Sequence, residues 1–431
     1  MRRRARKGGG RQVELTVEEI GGRGDGYAKI DGRPLFVPLT VPGDRVRARV
    51  VSETAAGFRG ELVELLSPGP ARAEPPCPHF GICGGCALQV LEEPAYLAWK
   101  EAQVDKALSH AALSPLERLP MIRTPPRSRR RVSLAAQRRG REIIVGYRQR
   151  LSHRVVPIES CLLLQPALED LLAPLADVLR ETGFAAGDIV ATACENGVDL
   201  ALGGLEAPDL ELRERLAAFA EAQDLARLSL LDEDGGYEPL VVRRSPQVSF
   251  GGVSVAVPPG VFLQASKAGE EALTGAITSE LGGDAHRIAE LFCGVGSFTV
   301  PLSRVGRVDA FEADDAALVA LDAAVRMNGL AGRITAQRRD LFRQPLRAQE
   351  LAVYTAVVFD PPRAGAKDQA AQIAQSGVPL VVAVSCNPAT FARDVRLLVD
   401  GGYRLVKVAT LDQFPWSPHV ELVGVLRLSV D

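Results

Sequence analysis

Two apolar, β-branched runs near the C-terminus each stop abruptly at a polar residue followed by proline. They are Val357-Val358-Phe359-Asp360-Pro361-Pro362-Arg363 and Val381-Val382-Ala383-Val384-Ser385-Cys386-Asn387-Pro388. A short run that is apolar on both faces suits a parallel strand covered on both sides of its sheet. In an open α/β sheet, ligands bind outside the carboxyl ends of the strands. Two successive strands would therefore deliver a carboxylate, Asp360, and a thiol, Cys386, to one pocket. Either run alone is equally well explained as a core strand with a turn after it, so the residues upstream decide.

Residues 288–298, Ile-Ala-Glu-Leu-Phe-Cys-Gly-Val-Gly-Ser-Phe, read as strand, glycine turn and helix start, with Ser297 as the N-cap. Gly294 and Gly296 let backbone approach a ligand closely. A second run, Val308-Asp309-Ala310-Phe311-Glu312, ends in an acid able to accept both hydroxyls of an adenosine ribose. Position 299 is Thr rather than the third glycine of a dinucleotide fingerprint. That favours S-adenosylmethionine, which has no pyrophosphate to cradle, over NAD. Apolar runs recur at 288–292, 308–312, 334–339, 354–359, 379–385, 403–410 and 420–428. Seven strands with helical spacers predict a doubly wound α/β sheet. The 412–419 link is too short for a crossover helix, so the last strand should run antiparallel.

This pattern resembles the class I methyltransferase fold. Leu291-Phe292-Cys293-Gly294-Val295-Gly296, Asp360-Pro361-Pro362-Arg363, Ser385-Cys386-Asn387-Pro388 and His419-Val420-Glu421 together resemble the RNA 5-methyluridine (uracil-C5) methyltransferase family, in its iron–sulfur-containing 23S rRNA type. The resemblance covers nearly the whole chain. It implies a methyltransferase domain over 260–431, with Cys386 as nucleophile and Glu421 as general base. It also implies a cofactor site built from Gln264, Phe292, Ser297, Glu312, Asp340 and Asp360. Ser297 stands where the family often has asparagine, and Asp360 is alternatively placed to orient the uracil edge.

The chain has 431 residues, enough for about three domains. With 46% hydrophobic and 24% charged residues, it has an ample core. No apolar run reaches the ~18 residues of a membrane span. Residues 1–10 read as a flexible basic arm rather than a secretory signal. Residues 11–67 alternate as five short strands between Gly, Pro and Asp turns, the pattern of a small OB-like barrel. Within the family this position holds an RNA-binding TRAM domain. Pro68-Gly69-Pro70 punctuates the boundary. A central domain should follow over 68–259. Its helix at about 91–110 packs, by resemblance, on the catalytic domain.

A net charge of −2 hides a local asymmetry: from 123 to 154 there are eleven arginines and one acid, Glu142. Such a density predicts a phosphate-binding surface; Tyr147 and His153, interleaved in it, fit stacking on bases and ordinary packing equally well. A solvated face paired with acids elsewhere is the alternative. Seven cysteines, odd in number and unevenly spaced, fit a reducing cytoplasm. Cys77, Cys83 and Cys86 converge on a Gly-rich loop around His79, and the spacing favours metal binding without the paired knuckles of structural zinc. By resemblance they hold a [4Fe–4S] cluster with the distant Cys161. Cys194 and Cys293 read as inert packing.

The resemblance implies a thiolate addition to C6 of uracil, methyl transfer to C5 and loss of the C5 proton. RNA is the expected partner, 23S rRNA before tRNA, with the chain acting as a monomer. A cytosine-C5 RNA methyltransferase is the rival with similar thiol chemistry. A non-catalytic RNA-binding module has no use for Ser385-Cys386-Asn387-Pro388 at a strand end.

Overall fold

The computed structural model describes residues 10–55, 57–150, 152–205, 208–282 and 286–429. Most of the basic arm lies outside them. The chain divides into two compact units. One contains the chain up to Val104 with Arg148–Arg154 and Phe414–Pro418; the other contains the remainder.

In the first unit, six strands form one sheet rather than the expected five. The addition is the two-residue strand Glu19–Ile20, too short to leave a periodic signal. Alternation along Arg45–Thr54 puts Val46 and Ala48 inside and Arg45, Arg47 and Arg49 outside. The inner face packs Leu35, Val37 and Ala48 against Leu15, Ile30 and Phe58. The outer arginines pair across the sheet: Arg47 with Glu14 and Glu64, Arg49 with Glu61. The helix Glu93–His110 starts in this unit. It buries Lys100, whose Nζ donates to Phe414 O at 3.1 Å, and its Tyr96 hydroxyl accepts from Trp416 N at 2.9 Å.

In the second unit, a seven-stranded sheet runs from Val155–Pro157 to Tyr237–Val242, with Arg131–Arg139 near its middle. The C-terminal sheet contains all seven expected strands: β1 Arg287–Leu291, β2 Arg307–Glu312, β3 Ile334–Arg338, β4 Ala356–Phe359, β5 Leu380–Ser385, β6 Tyr403–Asp412 and β7 Glu421–Leu428. Their order is β3-β2-β1-β4-β5-β7-β6. Strands β1 to β5 are parallel, and β7 runs antiparallel between β5 and β6. The sheet has nine strands, not seven, because Glu117–Arg118 and Ile122–Arg123 extend the open edge of β6. β4 and β5 are buried along their whole length, as their unbroken apolar sequence requires. Helices α1 Lys267–Thr278, α2 Thr299–Leu302, α3 Asp315–Met327 and α4 Pro388–Asp400 flank this sheet. Strand order reverses between β1 and β4, so the loops after these two strands open at the switch point. Among the described residues no helix is long and apolar enough to cross a membrane.

Candidate active site

The turn after β1 is held by β2. The amides of Phe292 and Cys293 both donate to Phe311 O, at 2.9 and 3.1 Å. Phe292 takes φ = 65°, a left-handed conformation that a side chain of its size rarely adopts. A Cβ on Gly296, at φ = 94°, would be strained and would lie 2.6 Å from Leu321 Cδ1, so the buried Leu321 side chain would have to shift. Ser297 is not the helix N-cap. Helix α2 starts at Thr299, its N-cap is Phe298, and no side chain caps it. Ser297 instead lines, with Glu270, Lys267, Glu271 and Arg304, a cleft of about 470 Å³. Phe292, Glu312, Asp340 and Asp360 do not line that cleft.

Glu312 ends β2 with its carboxylate largely engaged. Oε1 accepts the amides of Ala313 and Asp314, at 2.6 and 3.0 Å, and Oε2 accepts Gly294 N at 2.9 Å. Two carboxylate oxygens offer about four acceptor positions, so room is left on Oε2 for a ligand hydroxyl. Asp340 closes a turn: its Oδ1 accepts from Phe342 N and Arg343 N at 3.0 and 3.1 Å. That turn sets Phe342 against Phe292, with ring centroids 5.4 Å apart and planes tilted by 50°. Phe342 is half exposed, and the sequence reading missed it; an aromatic two residues beyond a strand-end acid was the available signal.

The loops after β4 and β5 meet as expected. Asn387, N-cap of α4, accepts Ala389 N through its oxygen and donates Nδ2 to Arg363 O at 3.2 Å. Gln264 Nε2 donates to Asp360 Oδ2 at 3.1 Å. Loss of hydration pushes Asp360 up to about 7, against the opposing pull of that hydrogen bond. Cys386 is half-buried, and its thiol is pushed up to about 11, first by burial, then by the charges of Glu421 and Asp360. Arg363 acts in the opposite sense. Those couplings place Cys386, Glu421, Asp360 and Arg363 in one electrostatic neighbourhood, with Glu421 buried in the first position of β7. Beneath them, Glu290 in β1 is fully buried and neither of its oxygens has a hydrogen-bond partner at ordinary length. Burial pushes it up to about 8. No local pattern in the sequence marks Glu290, Arg363 or Gln413 as functional.

Burial also raises the thiols of Cys194, to about 12, and of Cys293. Cys77, Cys83, Cys86 and Cys161 are half-buried, and none of the four is in a disulfide. Cys83 Sγ accepts from Gly85 N at 3.3 Å. The expected convergence is not formed: among the described residues no three His, Cys, Asp or Glu side chains are grouped to hold a metal ion. Cys161 belongs to the other compact unit. The donor chemistry therefore fits a cluster in kind, without an assembled site.

The run of arginines is not a continuous phosphate surface. Arg130 is buried, paired with Glu270 Oε2 at 2.5 Å and donating Nε to Gln264 O at 3.0 Å. Arg138 donates to the carbonyls of Leu179, Arg180, Thr182 and Phe184, satisfying a helix C-terminus. Arg131 lies 5.6 Å from the ring centroid of Phe262, itself 65% exposed. Arg141, Arg148 and Arg154 remain exposed.

Residues 259–429 match the family model described as tRNA (Uracil-5-)-methyltransferase, and residues 6–63 match the TRAM domain. An RNA methyltransferase of Caulobacter vibrioides, described as uncharacterised, is 45% identical over 96% of this chain and 99% of its own. The 23S rRNA (uracil(1939)-C(5))-methyltransferase RlmD of Pectobacterium atrosepticum is 32% identical over 96% of this chain and 93% of its own. Among solved structures, the tRNA (uracil-54, C5)-methyltransferase of Pyrococcus abyssi with S-adenosyl-L-homocysteine aligns at a TM-score of 0.75 and 21% identity. That alignment covers 96% of this chain and 100% of that one, and it shows a shared fold.

Proposed function

Because this chain belongs to the family of S-adenosylmethionine-dependent RNA uracil-C5 methyltransferases, we propose that it methylates C5 of one uridine in 23S rRNA through a covalent adduct of Cys386. The observation that carries the mechanism is the shared charge environment of Cys386, Glu421 and Asp360 at the ends of adjacent strands. The 23S assignment rests on the Pectobacterium relative.

C5 of uracil is a weak nucleophile. Cys386, once deprotonated, adds to C6 and pushes the C5–C6 electron pair towards O4. C5 then takes the methyl group that the bound sulfonium supplies, breaking its S–CH3 bond. Glu421 removes the C5 proton, the C5–C6 double bond re-forms and the Cys386 thiolate leaves. The base must first be unstacked into the pocket. Exposed Phe262 beside Arg131 supports a stacking role at the entrance.

Gln264, Phe292, Ser297, Glu312 and Asp340 are assigned to the cofactor, with Phe342 added beside Phe292; Asp360, first read as a cofactor residue, is assigned in its alternative placement to the uracil edge. The acceptor position left on Glu312 and the exposed face of Phe342 support this reading. We assign 11–67 to RNA binding, 68–259 to the central domain and 260–431 to methyl transfer. Cys77, Cys83, Cys86 and Cys161 are assigned to a [4Fe–4S] cluster on donor chemistry and spacing, and no step of the reaction passes through it.

The decisive experiment supplies methyl-labelled cofactor with unmodified 23S rRNA and tRNA transcripts separately, then maps the product. 5-Methyluridine at one site of 23S rRNA is expected. Label confined to tRNA overturns the substrate, and 5-methylcytidine overturns the base.

A further inference from the structure

Gln413, just beyond β6, is 2% exposed, and its Nε2 donates to Gln264 Oε1 at 2.9 Å. Gln264 Nε2 donates onward to Asp360 Oδ2 at 3.1 Å. An ionised carboxylate only accepts, so every donor in this three-residue chain points towards Asp360. Arg130 fixes the Gln264 backbone separately, through its carbonyl. What Gln413 decides is which end of the Gln264 amide faces Asp360.

That bond is obtained at the expense of local stability. Gln413 Oε1 is buried without a hydrogen-bond partner. An apolar side chain of similar volume would leave no such orphan. Helix α1 carries glycine opposite, at Gly269, where a Cβ would lie 2.5 Å from Gln413 Oε1. Glycine inside a helix is itself destabilising. Two local penalties thus accompany one hydrogen bond, and a buried polar group kept on such terms calls for a functional account.

We propose that Gln413 is a positioning residue that determines base specificity: it turns the Gln264 NH2 group towards Asp360, holding Asp360 as an acceptor that matches N3–H of uracil and repels the N3 lone pair of cytosine. This rests on the placement of Asp360 at the base. Without Gln413 the Gln264 NH2 group is no longer held on Asp360 Oδ2, and losing that donor favours the protonated acid, whose single proton is then open to the base. A protonated Asp360 is a donor, the partner cytosine N3 requires. Asp360 already lies near 7, so the polarity of a single hydrogen bond is enough to tip it. The other charged groups around it are Glu290 on β1, Cys386 beyond β5, and the Glu421 and Arg363 that act on Cys386. None of these changes with Gln413.

The test uses the full chain with Gln413→Met and Gln413→Leu, both apolar, uncharged and unable to donate. Asp360 is titrated by isotope-edited infrared spectroscopy, assigned with Asp360→Asn. Initial rates against pH are measured on the mapped 23S rRNA transcript and on one with cytidine at the target. Both variants should raise the Asp360 titration and the acid limb of kcat/KM together, by about one pH unit, and lower the uracil preference about tenfold. Wild-type titration and preference in either folded variant overturns the inference. If Asp360→Asn keeps full activity, the underlying placement of Asp360 fails instead.

Discussion

The side-chain amide of Asn387 donates to the carbonyl oxygen of Arg363 at 3.2 Å, tying the loop that carries Cys386 to the loop that carries Asp360. The same side chain caps α4 through its oxygen. Asn387→Asp keeps the capping acceptor and loses the donor, so its melting temperature should stay near wild type while kcat falls at least about tenfold. Asn387→Ala should lose both, adding about 1 kcal/mol of destabilisation. Wild-type kcat in the Asp variant would show that the tie between the loops is dispensable.

Cys386 and Glu421 are separable by trapping. Cys386→Ala should abolish methyl transfer and any covalent RNA complex while cofactor binding persists. Glu421→Gln should add and methylate but stall before elimination, accumulating a denaturation-resistant complex that carries the methyl label. Slow turnover without a trapped complex assigns the base elsewhere. In the free protein, alkylation of Cys386 should rise towards about pH 11. A bound sulfonium opposes the carboxylates that raise the thiol, so S-adenosylmethionine should move that profile to lower pH more than S-adenosylhomocysteine does.

Buried Glu290 gives stability a pH dependence of definite sign. Its folded value, about 8, lies above the ordinary 4.5, so the native state binds this proton more tightly than the unfolded chain does. Stability is therefore lost as pH rises between those values, by up to about 1.4 kcal/mol per pH unit. Asp360 adds the same sign between 3.8 and about 7. Denaturant melts from pH 5 to pH 8 should show a shallower decline in Glu290→Gln. An identical slope would mean the carboxylate is not buried in solution.

Arg130 and the exposed arginines should separate folding from RNA binding. Arg130→Ala strands Glu270, which is as deeply buried as its partner, and should cost about 3–5 kcal/mol. Arg141→Ala and Arg154→Ala should leave stability unchanged and each lower the salt dependence of RNA binding by about one counterion. An unchanged salt slope would place the RNA on another face.

The four cysteines make a compositional prediction. Protein purified without oxygen should contain about four irons per chain, and Cys161→Ser should lose them along with Cys83→Ser. Stoichiometric zinc without iron would sink the cluster assignment.

The C-terminal sheet was largely legible because its signal is local. β4 and β5 are covered on both faces, so both must be written as apolar runs, and both end at the edge where the chemistry is proposed. Asp360 and Cys386 stand out in the sequence for that reason alone. Glu19–Ile20, Glu117–Arg118 and Ile122–Arg123 left no such trace. A two-residue strand exists only because a neighbour offers an open edge.

Composition misled where pairing is non-local. Eleven arginines in one segment look alike in sequence, yet Arg130 finds Glu270, far along the chain, and Arg138 finds a helix end, while Arg141 stays in water. By itself the sequence determined the seven longer strands of the C-terminal sheet and placed Asp360 and Cys386 at the ends of two neighbouring ones, since these follow from periodicity and from where an apolar run must stop. Only the tertiary structure decided which charges are buried, that no hydrogen bond of ordinary length reaches the Glu290 carboxylate, and that Gln413 meets Gln264. Hydrogen-bond polarity and desolvation depend on neighbours brought together by folding, and no local pattern records them.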